Sequence, residues 1–318
     1  MISNRAKLSA LLAATGLALA AYNNERAKRA MIPSTERTIR ISGVDLRFIE
    51  EGTGLPLFLM HGNGSVAEDF SISGIIAQAS TKHRVIAFDR PGFGGSSRPA
   101  SKRWSAREQA DLFHEAAGRL GIRRYLVLGH SWGAWVALEM ARRHPGSVAG
   151  LILVSGYYYP APRLALALAA LPTLPVLGTV FRHTFLPIAV RLGWASAMRA
   201  IFRPGPISDV FSARTREVAS RPSQLRSVCA ESVLMLGSAL LTKPSFGDID
   251  VPTGIVAGAE DRLFDARANA ERLHAEIVGS LIHIIPRSGH MAHHSNAQAV
   301  LAMIDKVAQL QASSLKDR

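Results

Sequence analysis

Cysteine is nearly absent from the 318-residue chain: Cys229 stands alone, so no disulfide can close within it. Acid is also scarce, with 24 Asp and Glu against 37 Lys and Arg, a net charge of +13. Aromatic residues make up only 7%, and no basic cluster is interleaved with them. That excludes the usual pattern of a nucleic-acid surface, in which cations and stacking rings alternate along one face. Near the N-terminus a long apolar run is missing too. The longest near the N-terminus, Leu8 to Tyr22, is fifteen residues, short of the ~20 needed to span a bilayer comfortably.

The chain does have a core in abundance. Hydrophobic residues reach 48%, which rules out a disordered protein. The excess charge is local: residues 1–30 carry +4 and residues 156–245 carry +7, leaving the rest almost balanced. Residues 1–30, with Arg5 and Lys7 before the apolar run and Arg26, Lys28 and Arg29 after it, read as an anchor or signal segment. Basic residues just past the small-residue pattern Ala18-Leu19-Ala20 favour an uncleaved anchor over a cleaved signal, and their presence on both sides gives no orientation.

From residue 31 onward, short β-rich runs alternate with amphipathic helical stretches, the pattern of an α/β domain with a mostly parallel sheet. Expected strands are Arg37–Ser42, Val44–Glu50, Leu57–Met60, Arg84–Phe88, Tyr125–Leu128, Leu151–Val154, Thr253–Val256 and Leu281–Ile285. Helices are expected over Asp69–Ala79, Ser105–Leu120, Trp132–His144, Asp265–Val278 and Asn296–Ala312. The rhythm breaks at 156–245, a Pro-punctuated, Leu/Ala-rich helical stretch that reads as a cap inserted into a core of 31–155 and 246–318. Its uncharged run Leu164 to Phe181 is expected as buried cap helices, with interfacial membrane contact as the alternative; Pro172 and Pro175 oppose a continuous span.

Gly129-His130-Ser131-Trp132-Gly133 joins an expected strand to an expected helix. Glycines let such a turn close, and the helix N-terminus aims free N–H groups at charge developing beside Ser131. A serine hydroxyl needs an imidazole to take its proton and a carboxylate to orient that imidazole. His290, in Ser288-Gly289-His290 after the Leu281–Ile285 run, is the candidate base, with His293 and His294 as fallbacks. Asp261, after Thr253–Val256, is the candidate acid, with Glu260 and Asp265 as rivals a register shift away. His83, His114 and His144 lack such a context.

Taken with His61-Gly62-Asn63-Gly64 and Asp89-Arg90-Pro91-Gly92-Phe93-Gly94-Gly95-Ser96, these motifs resemble the α/β-hydrolase superfamily over about 35–155 and 245–312. The resemblance implies an oxyanion hole from the backbone N–H groups of Asn63 and Trp132, with the Trp132 side chain as a pocket wall; Asp89 and Arg90 are expected to hold a loop. The motifs look nearest to those of haloalkane dehalogenases and epoxide hydrolases, where an Asp nucleophile occupies the position of Ser131. A serine attacking an alkyl halide or epoxide would be left as an unhydrolysable ether, so Ser131 favours acyl chemistry. The expectation is a serine hydrolase of a lipophilic carboxylic ester or related acyl bond. Its alternatives are C–C hydrolysis, perhydrolysis, an epoxide-hydrolase-like activity, or a non-catalytic membrane-tethered ligand-binding protein. Tyr157 and Tyr158, where the chain enters the cap, are candidate pocket residues, and the cap arginines suggest an anionic substrate head group. Expected partners are a small-molecule acyl substrate and a membrane, with no nucleic acid; no cofactor or metal is called for, since Gly289-His290-Met291-Ala292-His293-His294 has neither cysteine nor a helical acid–His pair.

Overall fold

A computed structural model describes residues 4–30, 37–159, 170–241, 245–263 and 265–316. An N-terminal helix, α1 (Asn4–Arg29), precedes a hairpin of β1 (Arg37–Ile41) and β2 (Val44–Glu51). Ser42 and Gly43 make its turn with φ of 46° and 82°, the paired positive values that match the twist of a two-residue hairpin. β3 (Leu55–Met60), α2 (Glu68–Ile72), α3 (Ile75–Ala79), β4 (His83–Phe88), α4 (Ala106–Arg119), β5 (Tyr125–His130), α5 (Trp132–Arg143) and β6 (Val148–Val154) follow. The single helix expected over Asp69–Ala79 is two, because Gly74 at φ 79° breaks the helical path.

Between β6 and the next strand lie α6 (Leu177–His183), α7 (Phe185–Phe202), α8 (Asp209–Ala219) and α9 (Pro222–Leu241). The chain returns to the sheet through β7 (Thr253–Gly258), α10 (Ala266–Glu276) and β8 (Leu281–Ile285), and ends with α11 (Ala292–Ser295) and α12 (Ala297–Lys316). The eight strands are ordered β1-β2-β4-β3-β5-β6-β7-β8. β2 runs antiparallel to both its neighbours, and β3 through β8 pair in parallel.

Alternation along the strands divides the core. Phe58, Met60, Tyr125 and Val127 face α4, α5 and α10 on one side, while Leu57, Leu59, Leu126 and Leu128 face α2, α3 and α12 on the other. Burial on both faces is what near-continuous apolar strands require, and every residue of β5, β6 and β7 is buried. The C-terminal ends of the parallel strands therefore point one way, toward the helical insertion, where loops of such sheets gather ligands.

Within Leu164–Phe181, residues 164–169 lie outside the described set. The remainder departs from the expected buried helices: Leu171, Leu174, Val176, Leu177, Val180 and Phe181 are all exposed. The prolines cut this stretch into one 3-10 turn at Leu171–Thr173 and the seven-residue α6, elements too short to turn an apolar face fully inward.

Candidate active site

Ser131 sits at the turn from β5 into α5 with φ 54° and ψ −118°, a backbone conformation that costs a non-glycine residue roughly 1–3 kcal/mol. Its surroundings hold it there. The Ser131 N–H donates to the Val154 carbonyl at 2.9 Å, and the Tyr157 N–H donates to the Ser131 carbonyl at 3.3 Å. The flanking glycines are obligatory for space: a Cβ on Gly129 would lie 2.3 Å from the Gly133 carbonyl oxygen, and one on Gly133 would lie 2.1 Å from that of Met60. The strand-turn-helix is closed so tightly that only hydrogen fits.

The loops after β7 and β8 supply the imidazole and the carboxylate. His290 Nδ1 is 2.7 Å from Asp261 Oδ2, and Asp261 Oδ1 accepts from the Leu263 N–H at 2.8 Å. Both side chains are buried. The His290 loop is fixed on two sides, by its own N–H donating to the Ile201 carbonyl at 3.0 Å and by His130 Nε2, 3.1 Å from the His290 carbonyl. That last contact makes His130 Nε2 a donor. Burial first, then the neighbouring His293 and His290, hold the His130 pKa well below its ordinary value, which keeps the ring neutral.

The rivals fall elsewhere. Glu260 is exposed, and Asp265 caps α10 by accepting from the Ala268 N–H at 3.3 Å. His293 and His294 contact Asp69 at 3.3 and 2.5 Å. His114 stacks on His144 with ring centres 3.8 Å apart, and His83 faces the Leu55 carbonyl.

Asn63 lies opposite the elbow, since a Cβ on the preceding Gly62 would be 3.1 Å from Ser131 Cβ. Trp132 is the first residue of α5, and first-turn N–H groups have no carbonyl of their own helix to bond. Its side chain departs from the expected pocket wall: the indole is buried in the core beside Trp135 and Tyr157, with ring centres 6.0 and 6.3 Å away.

The His61–Asn63 loop is clamped by Arg90. This guanidinium, 0% exposed, donates to the His61 carbonyl at 2.7 Å, the Gly62 carbonyl at 3.0 Å and Gln109 Oε1 at 3.0 Å, and makes a two-pronged pair with Glu231 of α9. Asp89 holds its own loop, accepting from the Ala67 and Gly95 N–H groups at 2.8 Å each and from Arg47. The Glu231 and Gln109 partners were not signalled by any motif; Glu231 is one of three acids, with Asp209 and Glu217, in the basic, apolar insertion.

Ser131, His290, Asn63 and Gly62 open onto one cavity of about 320 Å³. Its other walls come largely from the insertion and are apolar, including Val190, Trp194, Met198, Phe211 and Met235. Tyr157 and Tyr158 are not among its lining residues and so are not the pocket groups expected. They are buried beneath the start of the insertion, Tyr157 against Trp135 and Tyr158 folded back so that its hydroxyl accepts from the Gly156 N–H. Nor do the insertion's arginines line the cavity; among the described residues around it there is no lysine or arginine.

Comparison with known proteins agrees with this geometry at the level of the family. Haloalkane dehalogenase 2 of Mycobacterium tuberculosis is 26% identical over 284 residues, covering 86% of this chain and 95% of its own. The 2-hydroxymuconate semialdehyde hydrolase of Pseudomonas putida is 25% identical over 293 residues, covering 86% and 94%. Among solved structures, a membrane phospholipase A superposes with a TM-score of 0.68 at 22% identity, over 95% of this chain and 97% of that one, a likeness of fold. The family model described as alpha/beta hydrolase fold matches residues 56–297. Sheet order, elbow and matched length lead to one placement: the chain belongs to the alpha/beta hydrolase fold family.

Proposed function

We propose that the protein is a serine hydrolase that cleaves a carboxylic ester of a neutral, lipophilic acid. Ser131 attacks the acyl carbon, His290 takes the hydroxyl proton and returns it to the leaving alkoxide, and Asp261 orients the ring and offsets the imidazolium charge. The backbone N–H groups of Asn63 and Trp132 receive the oxyanion, each such donor being worth about 2.7–4 kcal/mol of barrier. Water then enters by the same base and releases the acid. The observation that carries this reading is the strained serine facing the same cavity as a histidine whose far nitrogen is held by a buried carboxylate at 2.7 Å.

The cavity supports the substrate class. At roughly 30 Å³ per water-sized group, 320 Å³ admits about ten such groups, the bulk of a medium acyl chain. With no lysine or arginine among the described residues of its walls, it favours a neutral substrate over an anionic one. The carboxylate-nucleophile chemistry of a dehalogenase does not transfer, because Ser131 would be trapped as an ether. C–C hydrolysis, the second reading suggested by the Pseudomonas relative, would use the same serine. A fluorophosphonate probe should label the wild type and not Ser131→Ala. Hydrolysis of p-nitrophenyl esters should peak at medium chain length, and equal labelling of both proteins or a preference for acetate would overturn the reading.

A further inference from the structure

Apolar exposure on this molecule is concentrated in two segments. Of the sixteen large hydrophobic side chains exposed among the described residues, five lie on α1 and nine on the insertion, while only Val278 and Leu310 lie elsewhere. These same two segments hold almost all of the net positive charge. They are also bolted together. Asn23, the one buried residue of α1, donates to the carbonyls of His183 and Thr184 at 2.9 and 2.7 Å, and accepts from Arg191. Arg26 adds a two-pronged pair with Glu217 of α8. Whatever surface α1 meets, the α6–α7 corner meets with it.

Neither helix is suited to crossing a bilayer alone. The uncharged run Leu8 to Tyr22 is about 22 Å long at ~1.5 Å per residue, against a hydrocarbon core of about 30 Å. α7 is the one described helix long and apolar enough to cross, but its inner face, through Val190, Trp194 and Met198, is a wall of the catalytic cavity. It cannot leave the protein. Its outer face nevertheless remains uncovered, with Phe185 58% and Leu192 83% exposed. A helix apolar on both faces but covered on one lacks a partner for the other.

We propose that α1 and the outer face of α6 and α7 form a single docking surface for an anionic lipid bilayer, seating the insertion in the headgroup region with the apolar side chains turned into the acyl boundary. A second copy of the chain is the poorer occupant, because it would bring two basic faces together, whereas anionic lipid complements them. Joining the two patches makes the second contact nearly intramolecular once the first has formed.

The test uses the full chain with a bimane label on Val176→Cys, Leu192→Cys or, as control, Val278→Cys, and subtracts the signal of the unsubstituted protein to remove Cys229. Val278 follows α10 at the opposite end of the parallel strands and is 92% exposed. On vesicles of phosphatidylglycerol with brominated phosphatidylcholine, the labels at 176 and 192 should lose most of their fluorescence while that at 278 keeps it, and added salt should weaken the effect. Quenching confined to a Leu12→Cys label, equal quenching at all positions, or a loss of signal that follows protein concentration without lipid would overturn the proposal. Fluorophosphonate labelling of the same variants separates this outcome from the catalytic reading, since neither Val176 nor Leu192 lines the cavity.

Discussion

Replacing Glu231 by Gln tests how the scaffold holds the His61–Asn63 loop, which carries the proposed oxyanion donor. Arg90 and Glu231 are both wholly buried, and breaking such a pair by removing one charge costs about 3–5 kcal/mol because the partner is left uncompensated. At the ~2–4 °C per kcal/mol observed for large domains, Tm should fall by roughly 6–20 °C. The loss is not only of stability. Arg90 also grips the carbonyls of His61 and Gly62, so loosening it frees the peptide that presents the Asn63 N–H. A misplaced oxyanion donor costs on the order of 10²–10³ in kcat, and the effect should appear in kcat more than in KM. The double variant Arg90→Met, Glu231→Leu removes both charges and should be clearly more stable than the sum of the single variants, while kcat stays low because the two carbonyls have lost their clamp. Urea unfolding and ester kinetics on wild type, Arg90→Met, Glu231→Leu and the double variant complete the cycle, with Glu231→Gln measured beside them. Strict additivity, or a Glu231→Gln protein within about 1 kcal/mol of wild type, would refute the reasoning.

Further outcomes follow from the same contacts. Asp261→Asn should leave the fold intact and reduce kcat by about 10⁴, because the His290 tautomer is no longer set; ester hydrolysis at normal thermal stability checks it. Gly133→Ala should be destabilised by about 3 kcal/mol or more, since its Cβ meets the Met60 carbonyl at 2.1 Å, whereas Gly146→Ala, with nothing within 4 Å, should be near neutral in the same melt. Met198→Trp should move the chain-length optimum toward short esters by filling the cavity, and Trp194→Ala toward long ones. Acid should weaken the fold below about pH 6.5: burial and then the Arg90 charge hold His61 well below its ordinary value, as burial and neighbouring histidines do His130. Unfolding lets both rings take up protons, so the unfolded state binds more of them and stability falls with pH by about 1.4 kcal/mol per unit for each. Urea midpoints between pH 7 and 5 should show this slope, reduced in His130→Gln; a flat profile would refute it.

The core was legible because its signals are local. Short, near-continuous apolar runs separated by amphipathic helices point to a parallel sheet, and Gly129 and Gly133 bracket Ser131 in a spacing that serves the close approach of α5 to β3. Asp261 and His290 could be ranked since each follows a strand and must emerge at the same end of the sheet. The Tyr157 and Tyr158 expectation failed because position along the chain says where a residue enters the insertion, not which way its ring turns, and burial drove both rings inward. Pro172 and Pro175 were read as helix breakers, but the exposure of what they leave behind depends on how α1 and α7 stand around it, which one-dimensional spacing does not encode.

The least legible feature was the coupling of the insertion to the chemistry. Asn63 Nδ2 is 3.3 Å from both the Val228 carbonyl and Ser232 Oγ on α9. A carbonyl only accepts, so the amide nitrogen must face it, and the side chain is thereby locked on the insertion while its backbone N–H is the proposed oxyanion donor. One helix turn onward, Glu231 reaches the Arg90 that holds the preceding two carbonyls. Both ties run from α9 to the same three-residue loop. Displacement of α9 should therefore alter the geometry of the proposed Asn63 donor as well as the volume above Ser131. Ser232→Ala removes the weaker tie without a charge, so it should lower kcat only several-fold with KM nearly unchanged. A rise in KM larger than the fall in kcat would mean that α9 acts through the cavity walls alone.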